Sequence, residues 1–477
     1  MAEKKLNIGS HDLPVSERLT EFMKTGWADT EYSDVPRNES APFAASRRER
    51  LSRTHAGHRI VVPAGTFKVR VNDCDYRFRA SSPFSWLTGI GASEAVPDTV
   101  LVLEPTADGH EAHLYLHPRS PRDTSEFFRD RRHGEFWVGR RVTAKEAEAR
   151  YGIAVRHIDD LAAILRDGTA TLAVRGEDPA VDALLPTPTD GDTALVQWLS
   201  EARLIKDEYE LKELQFAVDA TIRGFEDVVR SFPAAMKEPN GERVVEAAFY
   251  ARARLEGNEP GYDTIAASGA HACVLHWIRN DGAVQDGDLL LLDAGVEVDS
   301  HYTSDVTRTL PVNGSFSEAQ RKMYLLVYEA QQAAIAAVKP GARFRDFHRA
   351  AMRVIANGLA EWGVLPISGE ESLLDDVGLH RRWTLCSTGH MLGMDVHDCA
   401  KARAEEYLDG VLQVGNVLTI EPGLYFQADD LLLPEEFRGI GIRIEDDVVV
   451  TEDGCRLLTE ALPRHPDDIE LWMSQIV

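Results

Sequence analysis

Nothing in the 477 residues approaches the roughly 18 consecutive apolar positions that a membrane-spanning helix requires. The first ten residues, Met1 to Ser10, hold no apolar stretch of the signal-peptide kind either. Cysteine is scarce: five, at 74, 273, 386, 399 and 455, an odd count with no Cys-x-x-Cys spacing. That argues against a disulfide framework or a thiolate zinc module, and the expectation is reduced thiols in the cytoplasm. Positive charge is also short. The 52 Lys and Arg against 78 Asp and Glu leave a net charge of −26, which speaks against nucleic acid or an anionic membrane as partner. No P-loop occurs, and "GIGASEAVPD" and "GIGIRIE" contain Gly-x-Gly without the continuation that a dinucleotide turn needs. No short-period repeat or low-complexity tract is present.

What the chain has is acid inside apolar surroundings. Asp293 closes the run Leu289-Leu290-Leu291-Leu292-Asp293-Ala294-Gly295, and Asp305 lies in Tyr302-Thr303-Ser304-Asp305-Val306-Thr307-Arg308-Thr309-Leu310. Both stretches read as strands. An unpaired carboxylate at a buried strand end costs several kcal/mol, so it needs a cation or an arginine beside it. Taken singly, each acid could equally cap a strand end that faces solvent. In Gly439-Ile440-Gly441-Ile442-Arg443-Ile444-Glu445 the isoleucines share one face of the strand and Arg443 and Glu445 share the other. Glu421 interrupts Val417-Leu418-Thr419-Ile420-Glu421, with Pro422 ending regular pairing. Together with His390, these four carboxylates form a hard donor set suited to Mn, Mg, Zn or Fe, and two such ions would activate a water for hydrolysis.

The organisation follows from composition and period. Residues 1–40 are polar and mixed in charge, a lead segment that packs on a partner surface or stays mobile, and the Arg-rich "SRRERLSR" behind it reads as a solvated helix face. Strand candidates "TVLVLEP", "HLYLHP" and "TLAVRG" alternate with helical "TAKEAEARYG" and "HIDDLAAILRDG", the pattern of an α/β layer. Prolines and small residues over 178–192 mark a linker. The domains are therefore expected at 1–192 and 193–477. In the second, Leu211, Leu214, Val218, Ile222, Phe225 and Val229 form one stripe of an amphipathic helix. A second helix starts at Ser317 with a capping box to Gln320, and a third spans about 345–362. Helices backing antiparallel strands that carry the acids make an α+β domain.

The ordered segments "LLLLDAG", "YTSDVTRTLPVNG", "STGHMLGMDVHD", "TIEPGLYF" and "GIGIRIEDDVVVT" resemble the Xaa-Pro aminopeptidase and prolidase branch of the pita-bread metallopeptidases. The resemblance covers about 198–465, and more weakly the front half through "SPFSWLTGIGASEAVPDTVLVLEP" and "FWVGRRVTAKEA". It implies a pita-bread catalytic domain behind a smaller α/β creatinase-like domain. It implies two divalent ions per chain, Mn first with Zn, Co and Fe as other candidates. Asp293 and Asp305 would hold one ion and Asp305, His390, Glu421 and Glu445 the other, with Asp305 and Glu445 bridging. A hydroxide between the ions would attack the carbonyl of an N-terminal Xaa-Pro bond, with Glu421 moving the proton and His397 and His276 beside the scissile carbonyl. Tyr425 and Arg443 would shape the proline pocket, the substrate amine would lie near Asp293, and the protein would form a dimer or tetramer.

Two departures from the family pattern stand out. Asp293 and Asp305 are twelve positions apart, one more than is common, which a bulge or longer turn would absorb. Cys386 lies four before His390, where the family usually carries a histidine lining the proline pocket, and that bears on substrate choice rather than on the metals. The alternatives are a hydrolase of this family specialised for an unusual amide or a dipeptide, prolidase-like, and a catalytically silent pita-bread binding protein. A metal-free creatinase-like amidinohydrolase is disfavoured by the intact ligand set, and a methionine aminopeptidase by the long front half.

Overall fold

The structure is a computed structural model that describes residues 13–28, 30, 32 and 34–476. Of the lead segment, residues 1–12, 29, 31 and 33 lie outside that description. Two compact units are present: one through Ile90 with Ala95–Pro188, the other Thr189–Val477 with the short insert Gly91–Glu94.

In the first unit, helix α1 (Glu17–Met23) is capped by Ser16, and α2 (Ala41–Thr54) carries the arginine-rich segment. The expectation of a solvated helix face holds for Glu49, Arg50 and Arg53 and is corrected at two positions. Arg47 and Arg48 are buried, donating to the carbonyls of Trp86 at 3.0 Å and Leu87 at 2.6 Å, and Arg47 lies over the Trp86 ring. A guanidinium satisfies carbonyls left open at the end of a short helix while its stem packs on apolar surface, and charge counting cannot foresee that. Behind these helices stands a five-stranded sheet of β1 (Arg59–Pro63), β2 (Val100–Thr106), β3 (Gly109–Leu116), β4 (Ala154–His157) and β5 (Thr171–Ala173), in the order β4-β3-β2-β1-β5. Val61, Val62 and Val100 to Leu103 are almost wholly buried, as expected of central strands covered on both faces.

The second unit opens with α3 (Asp190–Ala202), α4 (Glu208–Ala235) and α5 (Gly241–Glu256). The stripe of α4 buries Leu214, Val218, Phe225 and Val229. Then follow β6 (Ile265–Ser268), β7 (Leu289–Ala294) and β8 (Val306–Pro311), antiparallel in the order β8-β7-β6. Helix α6 (Glu318–Ala337) begins at the Ser317–Gln320 capping box and packs on α7 (Phe344–Glu361), where Gly358 has no room for a Cβ against Leu326. Strands β9 (Val417–Ile420), β10 (Gly423–Phe426), β11 (Ile440–Arg443), β12 (Asp446–Val450) and β13 (Cys455–Leu457) complete it, as β9-β12-β13 and β10-β11. No helix among the described residues is long and apolar enough to cross a membrane, and all five cysteines are free.

Candidate metal centre

The strands deliver the acids by their ends. Asp293 is the penultimate residue of β7 and pairs in register with Thr307 of β8, and Asp305 immediately precedes β8. Gly295 between them has no space for a side chain against the Ser304 backbone. The long Asp293–Asp305 connection turns at Val298 to Tyr302, with the Val298 N–H donating to the Tyr302 carbonyl and His301 in the left-handed region at φ 70°. Glu445 follows β11, its backbone N–H donating to Thr307 O at 3.0 Å. Glu421 follows β9 and donates its N–H to Thr388 O at 2.8 Å, which ties it to the segment bearing His390.

All ten residues singled out above line one pocket of about 300 Å³: Asp293, Asp305, His390, Glu421 and Glu445 with His276, His397, Cys386, Tyr425 and Arg443. Donor atoms of Asp305, His390 and Glu445 lie within 4.8 Å of one another. The His390 Nε2 atom stands 3.3 Å from Asp305 Oδ2 and 3.4 Å from Glu421 Oε1, and its Nδ1 faces the Met391 carbonyl at 3.2 Å. With the Met391 carbonyl as acceptor Nδ1 carries a proton, so Nε2 is the atom that a cation would take up in exchange for the proton shared with Asp305.

The electrostatics express crowding. Burial, reinforced by Asp305, Glu421 and Asp293, pushes the Glu445 carboxyl well above its usual range. Glu421 rises to about 7 through burial, with His390 opposing and Asp305 adding to it. Asp293 is also raised by burial and by Asp305, against the pull of Arg443. For His390, burial works against the charge, yet its hydrogen bond to Asp305 and the Glu421 carboxylate raise it to about 9. Carboxylates packed this closely repel unless cations or protons offset them, and hard oxygen donors with one imidazole nitrogen fit divalent ions.

Several residues that sequence reasoning passed over hold this set. Tyr262 donates its hydroxyl toward both Asp293 Oδ1 at 2.7 Å and Asp305 Oδ1 at 2.5 Å. Thr307 donates to Glu445 Oε2 at 2.6 Å, and its place two after Asp305, on the same strand face, was a usable signal. Arg308, fully buried, donates to Glu445 O and pairs with Asp446 at 2.7 Å. The loop with His276 is anchored by buried Glu242, which accepts from Ser268 N–H, His271, Trp277 and Gly282 N–H at 2.7–2.8 Å. Behind His397, Asp398 accepts from Arg203 and, at 2.9 Å, from Lys206. The His390 and His397 rings meet edge to face at 4.4 Å.

The chain is similar to known proteins over most of its length. Residues 212–452 match metallopeptidase family M24, and residues 44–173 match the aminopeptidase P N-terminal domain. A Streptomyces coelicolor protein named Xaa-Pro aminopeptidase 1 is 54% identical over 97% of this chain and 93% of its own length. The Escherichia coli Xaa-Pro aminopeptidase is 31% identical over 92% of this chain and 98% of its own. Among solved structures, Pseudomonas aeruginosa aminopeptidase PepP superposes with a TM-score of 0.79 at 31% identity, covering 92% of this chain and 99% of that one. Zn-substituted Escherichia coli aminopeptidase P in complex with product gives 0.77 at 28% identity, over 92% and 99%.

Proposed function

Because the chain belongs to metallopeptidase family M24, we propose that it removes the N-terminal residue from peptides whose second residue is proline. The fold is that of aminopeptidase P, an N-terminal domain of that type followed by a pita-bread domain. The observation that carries the reading is the single pocket in which five hard donors meet the two histidines and the arginine. Asp293, Asp305, His390, Glu421 and Glu445 would hold two divalent ions, Mn by preference. When bound, such ions supply Lewis acidity toward the carbonyl and activate water at neutral pH.

The protein's own groups then divide the work. Oε1 of Glu421 is engaged by Thr419 at 3.2 Å and faces His390, so Oε2 takes the proton of the attacking water and returns it to the proline nitrogen. His397 and His276 donate toward the oxygen that gains charge at the scissile carbonyl. Proline lacks an N–H and has a restricted φ, so it must be gripped by shape: Leu275, Ile278 and Val396 offer apolar walls, and Tyr425 and Arg443 the polar edge. The substrate amine fits beside Asp293. A cytoplasmic homo-oligomer acting on peptides completes the reading.

The test is hydrolysis of Ala-Pro, Ala-Pro-Ala and Ala-Ala-Ala by Mn-loaded protein. Release of alanine from Ala-Pro-Ala but not from Ala-Ala-Ala is expected. Equal cleavage of Ala-Ala-Ala overturns proline specificity, and cleavage of Ala-Pro alone favours the prolidase-like alternative that Cys386 raises.

A further inference from the structure

Next to the metal pocket lies a second and larger cavity, of about 630 Å³, and Cys386 lines both. Its walls run against the character of the chain. In a protein of net charge −26, four arginines, Arg345, Arg349, Arg353 and Arg381, surround it and Asp375 is the only acid among the lining residues. Arg345, Arg349 and Arg353 recur at four-residue steps on α7, so they form one stripe of like charge. Such spacing is unfavourable in a helix by itself. Arg381 belongs to the short turn Leu379–Arg382.

The existing partners do not use up this charge. Arg345 pairs with Asp409 at 3.0 Å and Arg349 with Asp346 at 3.3 Å, with all four side chains two-fifths or more exposed, and pairs of that kind contribute little. Arg353 and Arg381 have no ion-pair partner among the described residues. Beneath the arginines, Phe344, Phe347 and Met352 are buried and make an apolar floor. An apolar floor under guanidinium groups fits an organic anion, and the planar fork matches a carboxylate. The size falls in the usual range for a small-ligand site, roughly 300–1,000 Å³.

We infer that this cavity extends the leaving side of the peptide site and receives the C-terminal carboxylate of peptides that continue beyond the proline. The inference rests on the peptidase reading above, since Cys386 is the shared wall past which the leaving peptide would run. It makes free-acid peptides that continue beyond the proline better substrates than their C-terminal amides.

Hydrolysis of Ala-Pro-Ala-Ala and of its C-terminal amide by Mn-loaded wild type, Arg353→Gln and Arg381→Gln tests it. Wild type should favour the acid by roughly tenfold in kcat/KM, mainly through KM, the scale of one charge-assisted hydrogen bond. The acid-to-amide ratio should fall toward one in at least one of the variants. Calorimetric binding of the product Pro-Ala-Ala, as acid and as amide, to wild type gives the same comparison without relying on any variant to fold. A wild-type ratio near one in both measurements overturns the inference, and so does a high ratio that neither variant lowers. Failure to cleave acid and amide alike removes the peptidase reading itself, which is a different result from equal cleavage of both.

Discussion

Arg443 donates to Asp293 Oδ2 at 2.6 Å and to the Tyr425 hydroxyl at 2.9 Å, so the strand leading to Glu445 is clasped to the strand that presents Asp293. The pair is buried, and burial is the first influence on both groups. A group expected to shape the proline pocket is thus also the cation that a crowded carboxylate set relies on.

Arg443→Met should therefore do more than alter KM. Removing one partner of a buried pair costs about 3–5 kcal/mol because the other charge is left uncompensated. Denaturant unfolding of the metal-free protein checks this, and a loss below about 1 kcal/mol would mean that Tyr262 alone suffices for Asp293.

Chelator treatment should abolish hydrolysis, and about two divalent ions per chain should restore it, Mn most effectively. Elemental analysis with activity titration is the measurement. Asp305→Ala should be more damaging than Asp293→Ala, because Asp305 adjoins both His390 and the Tyr262 link to Asp293. Full activity after exhaustive chelation sinks the metal reading.

Glu421→Gln keeps shape and one oxygen but cannot take a proton. kcat should fall by at least ~10²-fold with the circular dichroism spectrum unchanged. Near-normal turnover would leave Glu421 a merely structural group.

Asp398 carries a pH signature. Burial pushes its carboxyl up, but Arg203 and Lys206 overcome that and hold it well below the usual carboxylate range. A depressed folded value means that the stabilisation is complete above the unfolded value of about 3.9 and is lost as pH falls through the folded one. Asp398→Asn, which leaves Lys206 buried beside a neutral group, should be destabilised by about 3–5 kcal/mol at pH 7. The deficit relative to wild type should shrink as pH drops below about 4. Unfolding curves at several pH values decide it, and a constant deficit contradicts the assignment.

Cys386→His restores an imidazole donor at the edge of the metal pocket. kcat/KM on Xaa-Pro peptides should improve by one hydrogen bond, about 0.5–1.5 kcal/mol or up to about tenfold. An unchanged or lower value means that the pocket is packed around cysteine.

Much of this site was legible before any fold was known, and the reason is local. Buried strands announce themselves by apolar runs, so an acid at the end of "LLLLD" or on the charged face of "GIGIRIE" is conspicuous where it stands, and the helix start at Ser317 follows from capping chemistry within three residues. The partners of those acids are not local. Tyr262 reaches Asp305 from 43 positions away, Thr307 reaches Glu445 from 138, and Lys206 reaches Asp398 from 192. Glu242 is unremarkable in its helix until the loop with His276 folds over it, and Arg47 and Arg48 looked solvated until the carbonyls of Trp86 and Leu87 came within reach. Sequence by itself marked the acids at strand ends as candidate ligands, because periodicity and turn chemistry act over a few residues, while the histidines and the pocket residues came from the resemblance to a known family. Only the tertiary structure decided which charge meets which, because the desolvation of a buried ionisable group is settled by whatever the topology brings beside it.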